Sequence, residues 1–407
     1  MRLSAIDTGL IMLALMAPVM PRVFAQELVV ISFLFLTVRI ALSGNLLVYL
    51  KEKIVIFIFF SPALSLALFS SPSHLLRFVP ISLLLVGFPY RGFQIKPTAL
   101  AYTSVFVIAY LVTTQFLIAL DNPFLVAFRD AWYPIENNVW AYGSVHSLLY
   151  GFGEFRAAGV FYNPNVLGLV LVLYFFAYSL LYRRYYAQEK ILILSNPFYY
   201  LLVASLVFSV FLTGSRTALI ALIGYLFIKD VRSRSILKIF QNKKSLTLLA
   251  IGVPSVGFFI WERVLQGFTD PMGSANIKFR ILINYLQNAD LVMLFFGGTY
   301  DVQFDAEYGY WIGASGFLGM LGWVLIVRLF SAIVPLSRPI VLAMLLLAIG
   351  NTVFYGLLTG AIATISLVIA CSITVHSKGQ QWVKSSRPRN NAWDKSRWPL
   401  PLNHYRA

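Results

Sequence analysis

Apolar stretches of roughly 17–22 residues, each long enough to cross about 30 Å of hydrocarbon as a helix, follow one another from near residue 4 to near residue 375. At 59% hydrophobic and 12% charged over 407 residues, the chain lies far from the usage of soluble domains, roughly 45–50% apolar and 25% charged. The expected fold is an all-α polytopic membrane protein. Twelve transmembrane helices are expected, at about 4–20, 27–48, 54–70, 75–90, 98–119, 163–182, 194–213, 216–229, 245–261, 307–328, 338–355 and 357–375. Two connections are long, 120–162 and 262–306. Residues 1–375 then make a single transmembrane domain, and 376–407 a basic tail.

The net charge of +16 would suit nucleic acid, but the positions of the charges speak for topology instead. Lys51, Lys53, Arg91, Lys96, Arg183, Arg184, Lys190, the run "KDVRSRSILKIFQNKK" (229–244), Arg328, Arg338 and the tail fall on one side. By the positive-inside rule that side is cytoplasmic. Both termini are then inside and both long loops outside, with most of the acids in the loops. "VFAQE" (23–27) weakly resembles a signal-peptide cleavage site, but the first segment of a polytopic chain reads as a retained span. The single cysteine, Cys371, leaves no disulfide within the chain and no cysteine metal cluster. No phosphate-binding glycine loop and no His-Glu-x-x-His motif occurs. No metal, cofactor or nucleic-acid partner is expected.

What remains is a set of outward arginines, each where a helix starts. In "FRAAGVFYNPN" (155–165) Asn163 is a good N-cap, Pro164 suits the first helical position, and Arg156 lies just upstream, with Asn165 in the first turn. In "LTGSRTALIALIG" (212–224) Gly214 lets the chain turn, Ser215 can cap the next helix, and Arg216 occupies its first turn. In "PMGSANIKFRILINYLQNAD" (271–290) Ile277, Ile281, Leu282, Tyr285 and Leu286 recur at helical spacing. That pattern predicts a short amphipathic helix near the membrane surface, with Arg280 and Asn284 on one face. Helix N-termini present free N–H groups and a partial positive charge, and guanidinium groups match phosphate oxygens. Three such sites on one membrane face point to a diphosphate ligand. The plainer alternative is that these arginines pair with nearby acids or snorkel to headgroups.

Transfer chemistry would also need a base. In "FFGGTYDVQFDAEYGYWIGASGFLGMLGW" (295–323) Asp301, Asp305 and Glu307 precede a span, and a carboxylate near an apolar boundary holds its proton more readily than one in water. Glu307 is the favoured candidate and Asp305 the second, with Tyr308 beside them; the alternative is that these acids solvate a loop end. The tyrosines and tryptophans of the loops suit an interfacial belt or a platform for sugars.

Three motifs together, "R-x-x-G-x-x-x-N-P-N" opening a span, "T-G-S-R-T-A-L" at a later outer boundary, and a loop with "F-R" that ends in "D-x-x-x-D-x-E-Y", resemble the O-antigen polymerase and ligase superfamily. The resemblance covers about 120–325 at motif level. It implies glycosyl transfer at the periplasmic face of the bacterial inner membrane, without nucleotide or metal. Its substrates would be undecaprenyl diphosphate-linked repeat units, with membrane lipids and a polysaccharide chain-length regulator as partners. Arg156, Arg216 and Arg280 match the family's diphosphate-binding arginines. Ligases of the family carry a histidine near the end of the second loop; here no histidine occurs between 147 and 375, which favours a polymerase. A lipid-linked oligosaccharide flippase is the alternative from another class, and the long outer loops speak against it.

Overall fold

The computed structural model describes residues 2–40, 96–120, 122–132, 159–161, 163–185, 192–233, 274–298, 307–333, 338–348 and 358–367, with a few single positions between. The expected spans 54–70, 75–90 and 245–261, and the tail 376–407, lie outside the described residues. Among the described residues the regular structure is helical, without a strand.

Twelve helices are named here: α1 (Arg2–Met16), α2 (Arg22–Ile40), α3 (Pro97–Ala119), α4 (Pro123–Trp132), α5 (Pro164–Tyr185), α6 (Asn196–Thr213), α7 (Arg216–Ser233), α8 (Ser274–Asn288), α9 (Leu291–Phe296), α10 (Glu307–Ile333), α11 (Arg338–Ala348) and α12 (Leu358–Leu367). Three of them, α3, α6 and the Pro164–Arg183 part of α5, have the length and apolar composition to cross a membrane. Shorter apolar helices cover Ala5–Val19, Arg216–Leu226, Pro339–Ala348 and Leu358–Leu367.

Proline sets several of the helix starts. Pro97 opens α3 after Lys96. Asn122 caps α4, its Oδ1 accepting from Leu125 N at 3.2 Å, with Pro123 in the first helical position, where a missing N–H costs nothing. The α6–α7 break falls at Gly214, whose φ of +62° is the left-handed conformation that ends helices. Its N–H donates to Phe211 O at 2.9 Å.

The core runs along α5. Of its apolar window, 89% is buried inside the protein, against α3, α6 and α7. A helix wholly enclosed by other helices still has polar tips to satisfy, and α5 settles them with its neighbours. Tyr174 Oη donates to Leu15 O of α1, Tyr178 Oη to Ile193 O at 2.5 Å, and Ser179 Oγ pairs with Tyr225 Oη of α7 at 2.8 Å. Near the start of the chain, α1 and α2 form a hairpin turned at Ala17–Val19. Within it the fully buried Asp7 pairs with Arg39. Further on, α11 packs between α7 and α10.

Two helices stand where the sequence reading has only loops. α4 occupies part of 120–162, and α9 part of 262–306. Both are too short to register as spans, at 10 and 6 residues. α10 is also longer than expected and is kinked at Gly316, whose φ of +60° lies outside the helical region.

Candidate anion-binding site

The start of α5 is built as its sequence suggests. Asn163 Oδ1 accepts from Asn165 N at 2.9 Å, and Asn163 O accepts the first helical bond, from Leu167 N at 3.1 Å. Just upstream, the turn Gly159–Phe161 carries Gly159 at φ +57°, against the backbone of Gln115 in α3. Arg156 itself lies outside the described residues, but its neighbour Ala157 is placed. Ala157 N donates to Leu212 O at 2.9 Å, which ties this segment to the last turn of α6.

Gln115 supports the same junction from inside the bundle. Its Nε2 donates to Ala157 O at 3.2 Å and to Ser209 O at 3.1 Å, while its Oε1 accepts from Ser209 Oγ. The side chain is fully buried. A primary amide with both ends satisfied in an apolar interior fixes relative position well, because losing any partner leaves a desolvated polar atom behind.

The start of α7 lies against the start of α5. Gly168, one turn into α5, packs so closely on the α6–α7 turn that a Cβ there would lie 3.0 Å from Thr213 Oγ1 and 3.1 Å from the Cβ atoms of Ser215 and Ala218. Two helix N-termini therefore meet at one end of the bundle, and their partial positive charges add. Arg216, half-buried, opens α7 there.

Ser215 departs from the expected cap. Its carbonyl accepts the first helical bond, from Leu219 N at 3.0 Å, and its N–H donates to Thr213 Oγ1 at 3.1 Å. Its hydroxyl is buried with no hydrogen-bond partner among the described residues. Burial against Gly168 turns what would be a helix cap into a polar atom within the junction.

Arg280 and Asn284 lie on the predicted amphipathic helix, α8, and both are exposed. The apolar side of that helix, Ile281, Leu282, Tyr285 and Leu286, packs around Ile312 of α10 together with Tyr310 and Met320. Burial, and then the carboxylate of Asp290, raises the Tyr285 hydroxyl above the ordinary phenol value. The structure thus joins the Asn163–Asn165 and Ser215–Arg216 positions directly, and holds Arg280 apart from them, on α8, whose apolar side packs on α10.

Glu307 is the first residue of α10 and is 1% exposed. Its Oε1 accepts from Trp311 Nε1 at 2.8 Å, one turn along the same helix. Tyr308 follows, half-buried, while Asp301 and Asp305 lie outside the described residues. Tyr310 packs against both the main core and the α8 cluster, so the start of α10 bridges them. Among the described residues no three His, Cys, Asp or Glu side chains gather as a metal site would need.

Gln115, Ser209 and Gly168 do not stand out in the sequence. Their signal is a polar or minimal residue within an apolar run, which is also what ordinary helix packing uses. No family model matches the chain, and no curated protein matches it.

Proposed function

We propose that this chain is a glycosyltransferase of the bacterial inner membrane that polymerises undecaprenyl diphosphate-linked repeat units at the periplasmic face. The observation that carries the reading is the meeting of two helix N-termini, at Asn163–Pro164 and Ser215–Arg216, through Gly168. Such a junction offers N–H groups, a guanidinium and the Ser215 hydroxyl to an anion in a setting of low dielectric, where each counts for more than in water. Arg156 is adjacent in sequence to the anchored Ala157, and Arg280 would complete the diphosphate set from α8.

In this reading the twelve spans expected from the sequence cross the membrane, α4, α8 and α9 not being among them, with both termini cytoplasmic. The reaction is a displacement at the anomeric carbon of the carrier-linked sugar. The C–O bond to the carrier breaks as the acceptor hydroxyl forms the new glycosidic bond, the lipid diphosphate leaves with the electron pair, and the configuration inverts. Arginines at the leaving diphosphate act where charge develops, which is where stabilisation lowers a barrier. Glu307 or Asp305 takes the proton of the attacking hydroxyl. A chain-length regulator is the expected protein partner.

The surface glycan of a deletion strain tests this. One repeat unit on each core indicates a polymerase. Absence of any repeat, with carrier-linked polymer accumulating, indicates a ligase, and repeat units trapped inside indicate a flippase; either result sinks the proposal.

A further inference from the structure

The short helix α9 presents large apolar side chains outward: Leu291 is 74% exposed, Val292 66%, Phe295 52% and Phe296 49%. A patch of this kind on a six-residue helix is costly in water and marks an interaction surface. It is also rigidly held. Gly297, at φ +78°, and Gly316, at φ +60°, interlock α9 with α10, so that a Cβ on either would come within 2.4 Å of the other segment's backbone. Gly298 N donates to Gly313 O at 3.0 Å.

The chemistry of the surroundings identifies what covers the patch. α10 carries its own exposed apolar stripe, Phe317, Leu321 and Val324, at the i, i+4, i+7 spacing of a single helix face. Phe295 meets α10 at Gly316, one residue before that stripe begins, so the two surfaces adjoin. Each end of α9 carries one capping bond, which lowers the cost of placing it against hydrocarbon. Asp290 Oδ1 accepts from Met293 N at 2.7 Å, and Gly297 N donates to Met293 O at 2.8 Å. In contrast, α8 turns Arg280, Asn284, Gln287 and Asn288 to solvent.

We infer that α9 is a lipid anchor: its apolar side chains insert among the acyl chains of the outer leaflet, extending the lipid-facing stripe of α10 and holding α8, with Arg280, at the water–lipid boundary. Interfacial helices bind in this way, with the apolar face among acyl chains and the polar face in water. The inference rests on the proposed reading of α10 as a membrane span. It deepens the proposed site, because a phosphate carried on a membrane lipid lies at the height at which α8 is held.

The test uses the full chain with Cys371→Ser, carrying one added cysteine at Val292, Phe296, Asn284 or Leu321, each labelled with an environment-sensitive fluorophore. The purified protein is reconstituted in phosphatidylcholine vesicles. The expected result is a loss of emission with brominated phosphatidylcholine at Val292 and Phe296 that matches Leu321, and quenching by aqueous iodide at Asn284 alone. Iodide quenching at Val292 and Phe296 with Leu321 still in lipid overturns the anchor and leaves the α10 span intact. Iodide quenching at Leu321 overturns the span itself, and with it the inference. Protection of Val292 and Phe296 from both quenchers means that protein covers α9, and also overturns the anchor.

Discussion

The amide of Ala157 donates to the carbonyl of Leu212 across 2.9 Å, and the same Ala157 accepts from the buried Gln115 through its own carbonyl. A single residue of the first long connection is thereby held by α3 and α6 at once. Arg156 is covalently next to it, and Arg216 begins the helix that follows the Leu212 turn. Two of the three arginines that the sequence singles out, Arg156 and Arg216, are therefore next in sequence to residues of one junction.

Removing the charge at the junction is the most direct probe. Arg216→Ala is expected to abolish long glycan chains while the protein is made and inserted normally, since losing one donor to a developing charge costs on the order of 100–1000-fold in rate. Arg156→Ala and Arg280→Ala should behave alike. Gel analysis of extracted glycan reads the outcome, and unaltered chain length in all three variants would end the anion-site idea.

Gly168 sets the distance between the α5 and α7 starts. Gly168→Val would force branched carbons against Thr213, Ser215 and Ala218, an overpacking that costs about 1–3 kcal/mol. A lower melting temperature of the purified protein in detergent, with shortened glycan chains, is the expected pair of results. A variant as stable and active as the parent would show that the close approach is not needed.

Gln115→Leu keeps volume and removes the amide. It strips Ala157 O and Ser209 O of a donor and leaves Ser209 Oγ without its acceptor, and an unmet buried group costs about 1–3 kcal/mol. Proteolysis of the first long connection should become faster, and polymer length should fall. Unchanged protease resistance would remove Gln115 from its anchoring role.

The starts of α5 and α7 were legible because they combine Asn-Pro or Gly-Ser with an arginine and then an apolar run, a local signal. The contacts that join them were not, because Gln115 with Ser209, and Gly168 with Ser215, pair residues far apart in sequence. The amphipathic period of α8 was readable from Ile281, Leu282, Tyr285 and Leu286. α9 escaped notice because six apolar residues fit equally well in a loop. The kink at Gly316 was hidden in a continuous apolar run that scores as one straight span.

Glu307→Gln preserves an acceptor for Trp311 Nε1 and removes the ability to take a proton. The expected outcome is a protein with native stability and native tryptophan emission that makes no polymer. Normal polymerisation would pass the role of base to Asp305 or to neither.

Tyr285 gives the α8–α9 unit a sensitivity to alkali. The folded chain holds its phenolic proton more firmly than the unfolded chain does, because burial and then Asp290 oppose ionisation. Its contribution to stability is thus full below the ordinary tyrosine value of 10.0 and is lost as pH rises through the raised value. Melting temperatures of the parent and Tyr285→Phe, followed from pH 8 to pH 11, should show the parent losing more above pH 10. Parallel curves would contradict this.

The pairing of Asp7 with Arg39 bears on how the chain reaches the membrane. A lone carboxylate in the middle of α1 disfavours partition into lipid by about 2.5–3.5 kcal/mol, and its counter-charge lies in the last turn of α2. If α1 is a membrane span, as the proposed reading has it, it would therefore be poorly suited to leave the insertion machinery alone. In the proposed membrane reading, α1 and α2 would enter the bilayer together as a neutralised hairpin once Arg39 has been synthesised.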